Sequence, residues 1–508
     1  MDESDPFTAL EDNDLDGMLS FLSDSSAAHN IALQVDAHDT SRMGPFVTLN
    51  EDVLRIILSL LAPPDACNMA RTCRIAHSLA TPYILSEVEL RDWWPRRKAK
   101  RHAESFCHFI LSTPERAHFL RKLDLRSLYI CAESYEGEET TGLVRGSSMA
   151  TALAAVIRQA DNLEEVLIHC IEGDQALTAE PFLIHAIASR PCLRHLGLHT
   201  DGRDGGGLKL ISQVCGPLRS LSLTIMHGHP DSPDLSVLAR IAGTLEILEL
   251  NLPYIATDDL YDLGPDFSLP AVQQVILRGW TDVQEMRRIL PDLRVMHLQG
   301  CRFRLDVNPV VPGGLFKANE IDELVTDVLV PKVLGGLVRR LHLQYDPFRR
   351  GTSVEMLAHM NPVVLSCALF MPGNYPLSNI DYIAQRLPRL RYLELSVGWG
   401  RMGPVSLSAQ LAEGMLIFKT YALHGLALHL NCEEGITADI DALARDVANG
   451  CIPSLMYIGI SLYRHNHTAS WYRCARGSAV AGQVNIERLR DWEGEQVERQ
   501  LRAMHSSA

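Results

Sequence analysis

One apolar spacing recurs twelve times between residues 120 and 460, and it limits the folds open to this 508-residue chain. Each copy holds an apolar residue, two variable residues, a second apolar residue, one variable residue and a third apolar residue. The copies begin at Leu120, Leu163, Leu193, Leu218, Leu245, Val272, Leu293, Val338, Val364, Leu390, Leu423 and Leu455. Successive starts lie 25 to 30 residues apart from Leu163 to Val272. Such a period is typical of arrays in which each repeat buries its apolar residues against its neighbours.

The spacing predicts one strand and one helix per repeat, and so an α/β fold. The second and third apolar positions alternate with variable ones, as in a strand with one buried face, whereas Leu235–Ala242 and Ile440–Val447 carry helical spacing. Proline precedes several copies by one or two residues, where it ends a helix and favours an extended entry to the strand. These prolines are Pro191, Pro217, Pro270, Pro291, Pro362, Pro388 and Pro453.

The array has irregular parts. The stretch from Leu293 to Val338 is long for one repeat, and Ile321–Leu324 has the spacing of a broken extra copy. After Tyr463 the pattern stops. Helical spacing over Val484–Met504 predicts one terminal helix, bent at Gly494, that covers the last repeat, as open arrays require.

Before the array, a short helix is apolar on more than one face. Only Arg55 and Ser59 are polar between Val53 and Leu61, whereas a soluble helix needs one apolar stripe facing its own core. The surplus apolar surface predicts a partner. Asn50 is placed to cap this helix, and Pro63 and Pro64 to end it.

Two more short helices are expected nearby, one capped by Asp65 and reaching Cys73 or Arg74, the other over Ile75–Ala80. This pattern resembles an F-box. The residues that carry the resemblance are Leu49 to Leu58, Leu61, Asp65, Cys73, Arg74, Leu79, Ala80 and Pro82.

The resemblance implies a three-helix motif that docks on the Skp-type adaptor of an SCF ubiquitin ligase, and through it on a cullin. It places the adaptor contacts at Leu49, Val53, Ile57, Leu60 and Leu61. An ordinary helical hairpin that caps the following repeats is the alternative.

Residues 115–465 resemble degenerate leucine-rich repeats, and the two resemblances together are those of a fungal-type F-box protein. The Asn or Cys usual at the ninth repeat position is found only as Cys301 and Asn431, so regular curvature is not expected. The resemblance implies a concave face lined by the variable strand positions, with the target-protein contacts at His169, His199, Arg278, His297, His342, Tyr392 and His429. Ordinary exposed positions are the alternative reading of these residues.

The formal net charge of −15 is concentrated at the N-terminus. Residues 1–45 carry ten acidic side chains against Arg42, a balance of −9, and their composition predicts a disordered tail. The rest of the chain is close to neutral, without the broad basic surface that nucleic-acid binding needs. The basic run Arg96–Arg101 is read as a solvated linker face, with a nuclear import signal as the alternative.

Little in the sequence indicates chemistry. Gly398–Gly403 has the G-x-G-x-x-G spacing of a dinucleotide loop, but Pro404 stands where a helix would begin to donate amides to phosphate. The pairs His227/His229 and His465/His467 lack a third metal ligand nearby in sequence. We therefore expect no catalytic residues, no cofactor and no metal.

The expected domains are an acidic tail (1–45), an F-box-like unit (46–90), a basic linker and helix (91–115), a leucine-rich-repeat-like solenoid (116–465) and a loop with a capping helix (466–508). The expected function is a cytoplasmic or nuclear substrate-recognition adaptor of an SCF-type ligase, binding an unknown target and neither nucleic acid nor membrane. A leucine-rich scaffold without a ligase role is the alternative, and a nucleotide-dependent enzyme comes third.

Overall fold

The computed structural model describes much of the chain after the acidic tail. The described residues are 49–90, 96–125, 147–168, 177–178, 180–200, 205–225, 235–251, 266–279, 286–301, 321–327, 337–344, 357–371, 387–399, 422–431, 439–450, 454–462, 469–476 and 484–505. The tail, His169, the histidine pairs and most of the glycine-rich motif lie outside them. Contacts divide the chain into two compact units, Met1–Ala271 and Val272–Ala508.

The first unit opens with three short helices. Their bounds are α1 Glu51–Leu60, α2 Pro63–Ala70 and α3 Arg74–Ile84. The expectation that Asp65 caps the second helix is wrong, because Pro63 already opens it; proline fits a first turn, where its missing amide hydrogen is not needed. The expected end at Ala80 is also wrong, since α3 continues through Pro82 and buries Ile84 against the other two helices.

Six parallel strands follow in the first unit, each paired with the next in sequence order. In chain order the elements are β1 (Glu87–Glu89), α4 (Arg96–Leu111), a 3₁₀ helix (Pro114–Phe119), β2 (Lys122–Leu125), α5 (Ser147–Gln159), β3 (Glu165–Ile168), α6 (Pro181–Ala188), β4 (His195–Thr200), α7 (Gly206–Gln213), β5 (Ser220–Ile225), a second 3₁₀ helix (Leu235–Ile241) and β6 (Ile247–Asn251). The second 3₁₀ helix was expected to be an α-helix. Its buried residues Leu235, Leu238 and Ile241 recur every third residue, which places them on one side of a helix with three residues per turn.

In the second unit, the described residues form eight parallel strands followed by two antiparallel ones. Its elements are β7 (Gln274–Arg278), α8 (Met286–Ile289), β8 (Val295–Gln299), β9 (Ile321–Thr326), β10 (Val338–Leu343), β11 (Val364–Met371), β12 (Tyr392–Trp399), β13 (Gly425–Asn431), α9 (Ile440–Gly450), β14 (Tyr457–Leu462), β15 (Ser470–Arg476), β16 (Val484–Arg488) and α10 (Asp491–Arg502). Strands β7 to β14 pair in parallel, and β15 and β16 are added in antiparallel pairing.

Each of the twelve apolar copies lies at a strand, and the suspected extra copy at Ile321 forms β9. The second and third apolar residues of a copy, such as Leu393 and Leu395 in β12, are fully buried. The residues that alternate with them share the opposite face of the sheet, which we call the variable face. A strand of alternating residues can bury only one of its faces against the covering helices, so the spacing fixes which side chains remain for other contacts.

The C-terminal region differs from its sequence-based expectation. A single helix was predicted over Val484–Met504, but Val484–Arg488 forms β16 and the helix begins only at Asp491. In Val484–Arg488 the half-buried Val484 and Ile486 alternate with exposed residues, a strand pattern that was overlooked because helical spacing was also present. Gly494 lies within the helix, against the ring of Trp471.

Leu395→Ala tests the burial of the repeated leucines. Because Leu395 is fully buried in β12, we expect the change to lower the free energy of unfolding by about 2–5 kcal/mol, measured by chemical denaturation. The exposed neighbour Ser396 provides the control, and Ser396→Ala should stay within about 0.5 kcal/mol of the wild type. Equal effects of the two changes would contradict the assignment of the buried face.

Candidate functional site

Helix α1 is held in place by one of its faces. Leu54 and Leu58 point into the three-helix unit, where Leu58 is fully buried among small side chains of α2 and α3, such as Ala66 and Ala80. The Tyr83 hydroxyl of α3 donates a hydrogen bond of 3.1 Å to the backbone carbonyl of Arg55. The helix is therefore fixed to its neighbours without using its remaining apolar residues.

The start of α1 is well defined. Asn50 is the N-cap residue, and its side-chain oxygen accepts a hydrogen bond of 3.0 Å from the backbone amide of Asp52. Glu51 and Arg55 form an ion pair of 2.7 Å one turn apart on the solvent side. A capped helix with acidic residues in its first turn is stabilised at its N-terminus, so α1 presents its surface in one orientation.

A second face of α1 is apolar and exposed. Leu49, Val53, Ile56 and Leu60 line it, and we call them the docking stripe. Ile56 and Leu60 are 61% and 81% exposed, values that leave most of each side chain in water. Val53, Ile56 and Leu60 are spaced three and four residues apart along one side of the helix, and Leu49 lies just before the N-cap residue Asn50. Clustered apolar exposure of this kind marks an interaction site, because isolated exposed leucines are common but aligned ones are not.

The adaptor contacts expected from the sequence fall into two groups. Leu49, Val53 and Leu60 belong to the docking stripe, whereas Ile57 and Leu61 are half-buried, Leu61 against the core of the three helices. Ile56 was missed. Its exposure follows from Leu54 and Leu58 being buried, since Ile56 lies on the other side of the helix from both, but the sequence alone did not show which apolar face the short unit would bury.

The predicted target contacts are spread along the variable face of both units. In the first unit His199 is half-buried on β4, and His169 lies outside the described residues. In the second unit Arg278 donates from Nε to the Gln299 side chain at 2.9 Å, and His297 lies 3.8 Å from Glu323. His342 is exposed on β10. These side chains lie on separate strands, and the structure does not gather them into one cluster.

Tyr392 does not fit its sequence-based role. It lies on the variable face as expected, but it is 0% exposed and packs in a core with Val364, Ala427, Trp471 and Leu501. Burial raises the pKa of its hydroxyl well above the ordinary value. Trp471 and Leu501, which cover Tyr392, belong to the C-terminal region. From the sequence, that region is expected at the end of the array and not on this face.

His429 forms part of a polar chain on three adjacent strands. Its Nε2 lies 3.1 Å from Glu394 Oε1 and its Nδ1 lies 2.6 Å from Ser461 Oγ. Because a carboxylate only accepts, Nε2 carries a proton and donates a hydrogen bond to Glu394, while Nδ1 forms the second hydrogen bond with the Ser461 hydroxyl. Ser461 is only 9% exposed, so this chain braces β12, β13 and β14 and does not present a nucleophile to solvent.

Glu394 also holds the last helix. Arg502 of α10 donates from one terminal nitrogen to both of its carboxylate oxygens, at 3.1 and 3.2 Å. Burial alone raises the pKa of Glu394, but the hydrogen bond from His429 and the charge of Arg502 outweigh it, and the pKa stays below the ordinary value. The carboxylate is therefore ionised at neutral pH and attracts cations.

Within the described residues, no three His, Cys, Asp or Glu side chains come together in a way that could hold a metal ion. None of the described helices has the length and apolar character needed to cross a membrane. Of the surfaces described above, the docking stripe is the one that combines aligned apolar side chains with high exposure.

Comparison with known protein families identifies one match. Residues 46–83 match the model of the F-box domain, so the chain contains an F-box domain that includes α1 and α2 and most of α3. F-box domains bind Skp-type adaptor proteins of SCF ubiquitin ligases. No curated protein matches the chain.

Glu394→Gln tests the charge that holds α10. Since the folded-state pKa of Glu394 lies below its ordinary value of 4.5, its stabilising contribution is fully present above pH 4.5 and is lost as the pH falls through the folded-state value. The difference in unfolding free energy between wild type and variant should therefore be largest at neutral pH and shrink below pH 4.5, as measured by denaturation from pH 7 to pH 3.

Glu495→Gln is the matched control, because Glu495 is exposed on the outer side of α10. It should leave the unfolding free energy at pH 7 within about 0.5 kcal/mol of the wild type. A Glu394→Gln effect that does not change with pH would contradict the ionic role.

Proposed function

We propose that this chain is a substrate-recognition adaptor of an SCF-type ubiquitin ligase. Its F-box domain would dock on a Skp-type adaptor, and through it on a cullin, while the repeat strands would bind the target protein. The observation that carries the proposal is that the docking stripe lies within the residues that match the F-box domain model.

The physical properties of the docking stripe support protein docking. Large aliphatic side chains that are removed from water on association supply most of the favourable free energy of an interface, roughly 25 cal/mol per Å² of apolar surface. The stripe holds four such residues, three of them on a helix whose other face is already packed, so docking need not rearrange the unit. Half-buried Ile57 and Leu61 would contribute at its edge.

The rest of the chain is proposed to form a leucine-rich-repeat-like solenoid in each unit. Parallel strands in sequence order, one per copy, with leucines buried on one face, support this proposal. The target would then be bound on the variable face, with contacts at His169, which lies outside the described residues, and at His199, Arg278, His297, His342 and His429. Tyr392 is buried beneath α10, so it would contact a target only if that helix were displaced.

Leu60→Asp tests docking through the stripe. A carboxylate at this exposed position should leave the chain folded but lower its affinity for a Skp-type adaptor by at least about tenfold, or about 1.4 kcal/mol, since docking would then bury an unpaired charge among apolar side chains. Binding is measured by titration calorimetry with purified adaptor, and folding by circular dichroism.

Ser59→Asp is the matched control, with the same new charge in the same exposed turn but outside the stripe. It should retain wild-type affinity. Leu58→Asp should instead unfold the three-helix unit, because Leu58 is fully buried. If the wild-type chain does not bind the adaptor, or if Ser59→Asp weakens binding as much as Leu60→Asp, the proposal fails and a repeat scaffold without a ligase role remains.

A further inference from the structure

Helix α10 lies on the variable face of the second unit. Its buried residues are Gly494, Val497 and Leu501, spaced three and four residues apart on one side of the helix. Val497 and Leu501 pack in the same core as Val363, Val364, Tyr392, Ala427 and Trp471. We call this seat the α10 groove, lined by strands β11 to β13 and by Trp471 of β15.

The α10 groove has space for a leucine because one strand lacks a side chain. In the parallel ladder Gly425 of β13 lies beside Tyr392 of β12 on one side and Tyr457 of β14 on the other, so both of its cross-strand neighbours carry large rings. A Cβ atom at Gly425 would lie 2.5 Å from Leu501 Cδ1, closer than real contacts allow. Leu501 therefore fills a socket between tyrosines that glycine leaves open.

A second close approach fixes the other end of the helix. A Cβ atom at Gly494 would lie 2.7 Å from Trp471 Cδ1, and one at Gly459 of β14 would lie 2.8 Å from the same ring. Trp471 is thus held between glycines of the sheet and of the helix. Only a helix with a very small residue at the position of Gly494 can lie so close to the Trp471 ring.

Charged groups at the end of the α10 groove match the C-terminus of a helix. Glu394 binds the Arg502 side chain, as described above, and Arg502 also pairs with Glu498 at 2.9 Å. From the sheet side, Arg339 donates to the backbone carbonyls of Arg502 and Met504, both at 3.3 Å. A cation on the last carbonyls complements both their unpaired lone pairs and the helix dipole.

The groove contacts α10 through one side only. Trp492, Glu495, Gln496 and Arg499 are exposed on its outer side. The ladder pairing that joins β7 to β14 involves none of the residues of α10, so the sheet does not need the helix to complete its backbone hydrogen bonds. Another helix with the same buried pattern would make the same contacts.

We infer that the α10 groove is a helix-binding site and that α10 is its intramolecular occupant. The partner that the groove fits is an amphipathic helix with the same pattern as α10. That pattern is a small residue as at Gly494, valine three residues later as at Val497, leucine four residues after the valine as at Leu501, and arginine directly after the leucine as at Arg502. This inference rests on the proposed function only in naming that partner as the ligase target. A partner helix would displace α10, which holds the groove at a high effective concentration.

A peptide of residues 489–505 tests the site in the full-length chain. Labelled with a fluorophore, it should bind weakly to the wild type, where α10 competes, and at least about tenfold more tightly to a Leu501→Asp chain, whose own helix no longer fills the socket. Fluorescence anisotropy gives the affinities. Peptide carrying the same Leu501→Asp change should not bind either chain.

Arg499→Asp provides the matched control, because it places the same charge on the exposed side of α10. This chain should behave as the wild type. Should Leu501→Asp fail to fold by circular dichroism, the Arg502→Glu chain takes its place, since Arg502 is exposed and outside the apolar socket. A Glu394→Arg chain should prefer peptide with Arg502→Glu over unmodified peptide.

The inference is overturned if folded Leu501→Asp and Arg502→Glu chains bind the peptide no better than the wild type, or if the altered peptide binds as well as the unmodified one. Neither result bears on the F-box proposal, which is measured through the docking stripe of the first unit. Loss of adaptor binding would likewise leave the peptide measurements unaffected.

Discussion

The leucines of each strand are buried because the next strand in sequence stands beside them. In the described ladders, β1 to β6 and β7 to β14 each pair in parallel with the neighbour that follows. One strand of this kind cannot remove its apolar side chains from water alone, so each repeat depends on the adjoining one. The same requirement leaves much of the variable face for other contacts, because side chains there alternate with the buried leucines.

The two surfaces that we assign to partners differ in their present state. The docking stripe carries aligned apolar residues that are left in water, and Leu60 is its most exposed member. The α10 groove has equally apolar walls, but a helix of the same chain covers them. An exposed apolar surface avoids nonspecific association only if its partner is bound most of the time. A surface covered by α10 is protected until a partner binds it strongly enough to displace that helix.

The sequence predicted the strands well because their signal is local. Leu393 and Leu395 alternate with variable residues, and a side chain in a strand can point to only two faces. The sequence predicted less well which distant residues pack against the strands. Nothing in the sequence near Tyr392 shows that Leu501, more than a hundred residues later, covers it. The need for glycine at position 425 is likewise evident only once Leu501 is seen to pack against it. Likewise, Ile56 and Ile57 are equally apolar, and only packing against α2 and α3 decides which of them is exposed.

Strand β16 is the last strand in the order of the sheet, and its composition bears on how copies of the chain associate. The parallel ladder stops at β14, where β15 enters in the opposite direction, and β16 is the last strand in the order. A final strand offers backbone groups to any other extended chain, which makes regular sheets prone to growth by end-to-end addition. Here the strand is five residues long and carries exposed Glu487 and Arg488. Short edge strands with exposed charged side chains accept a further strand less readily than long apolar ones, so the length and the charges of β16 disfavour growth of the sheet at this edge.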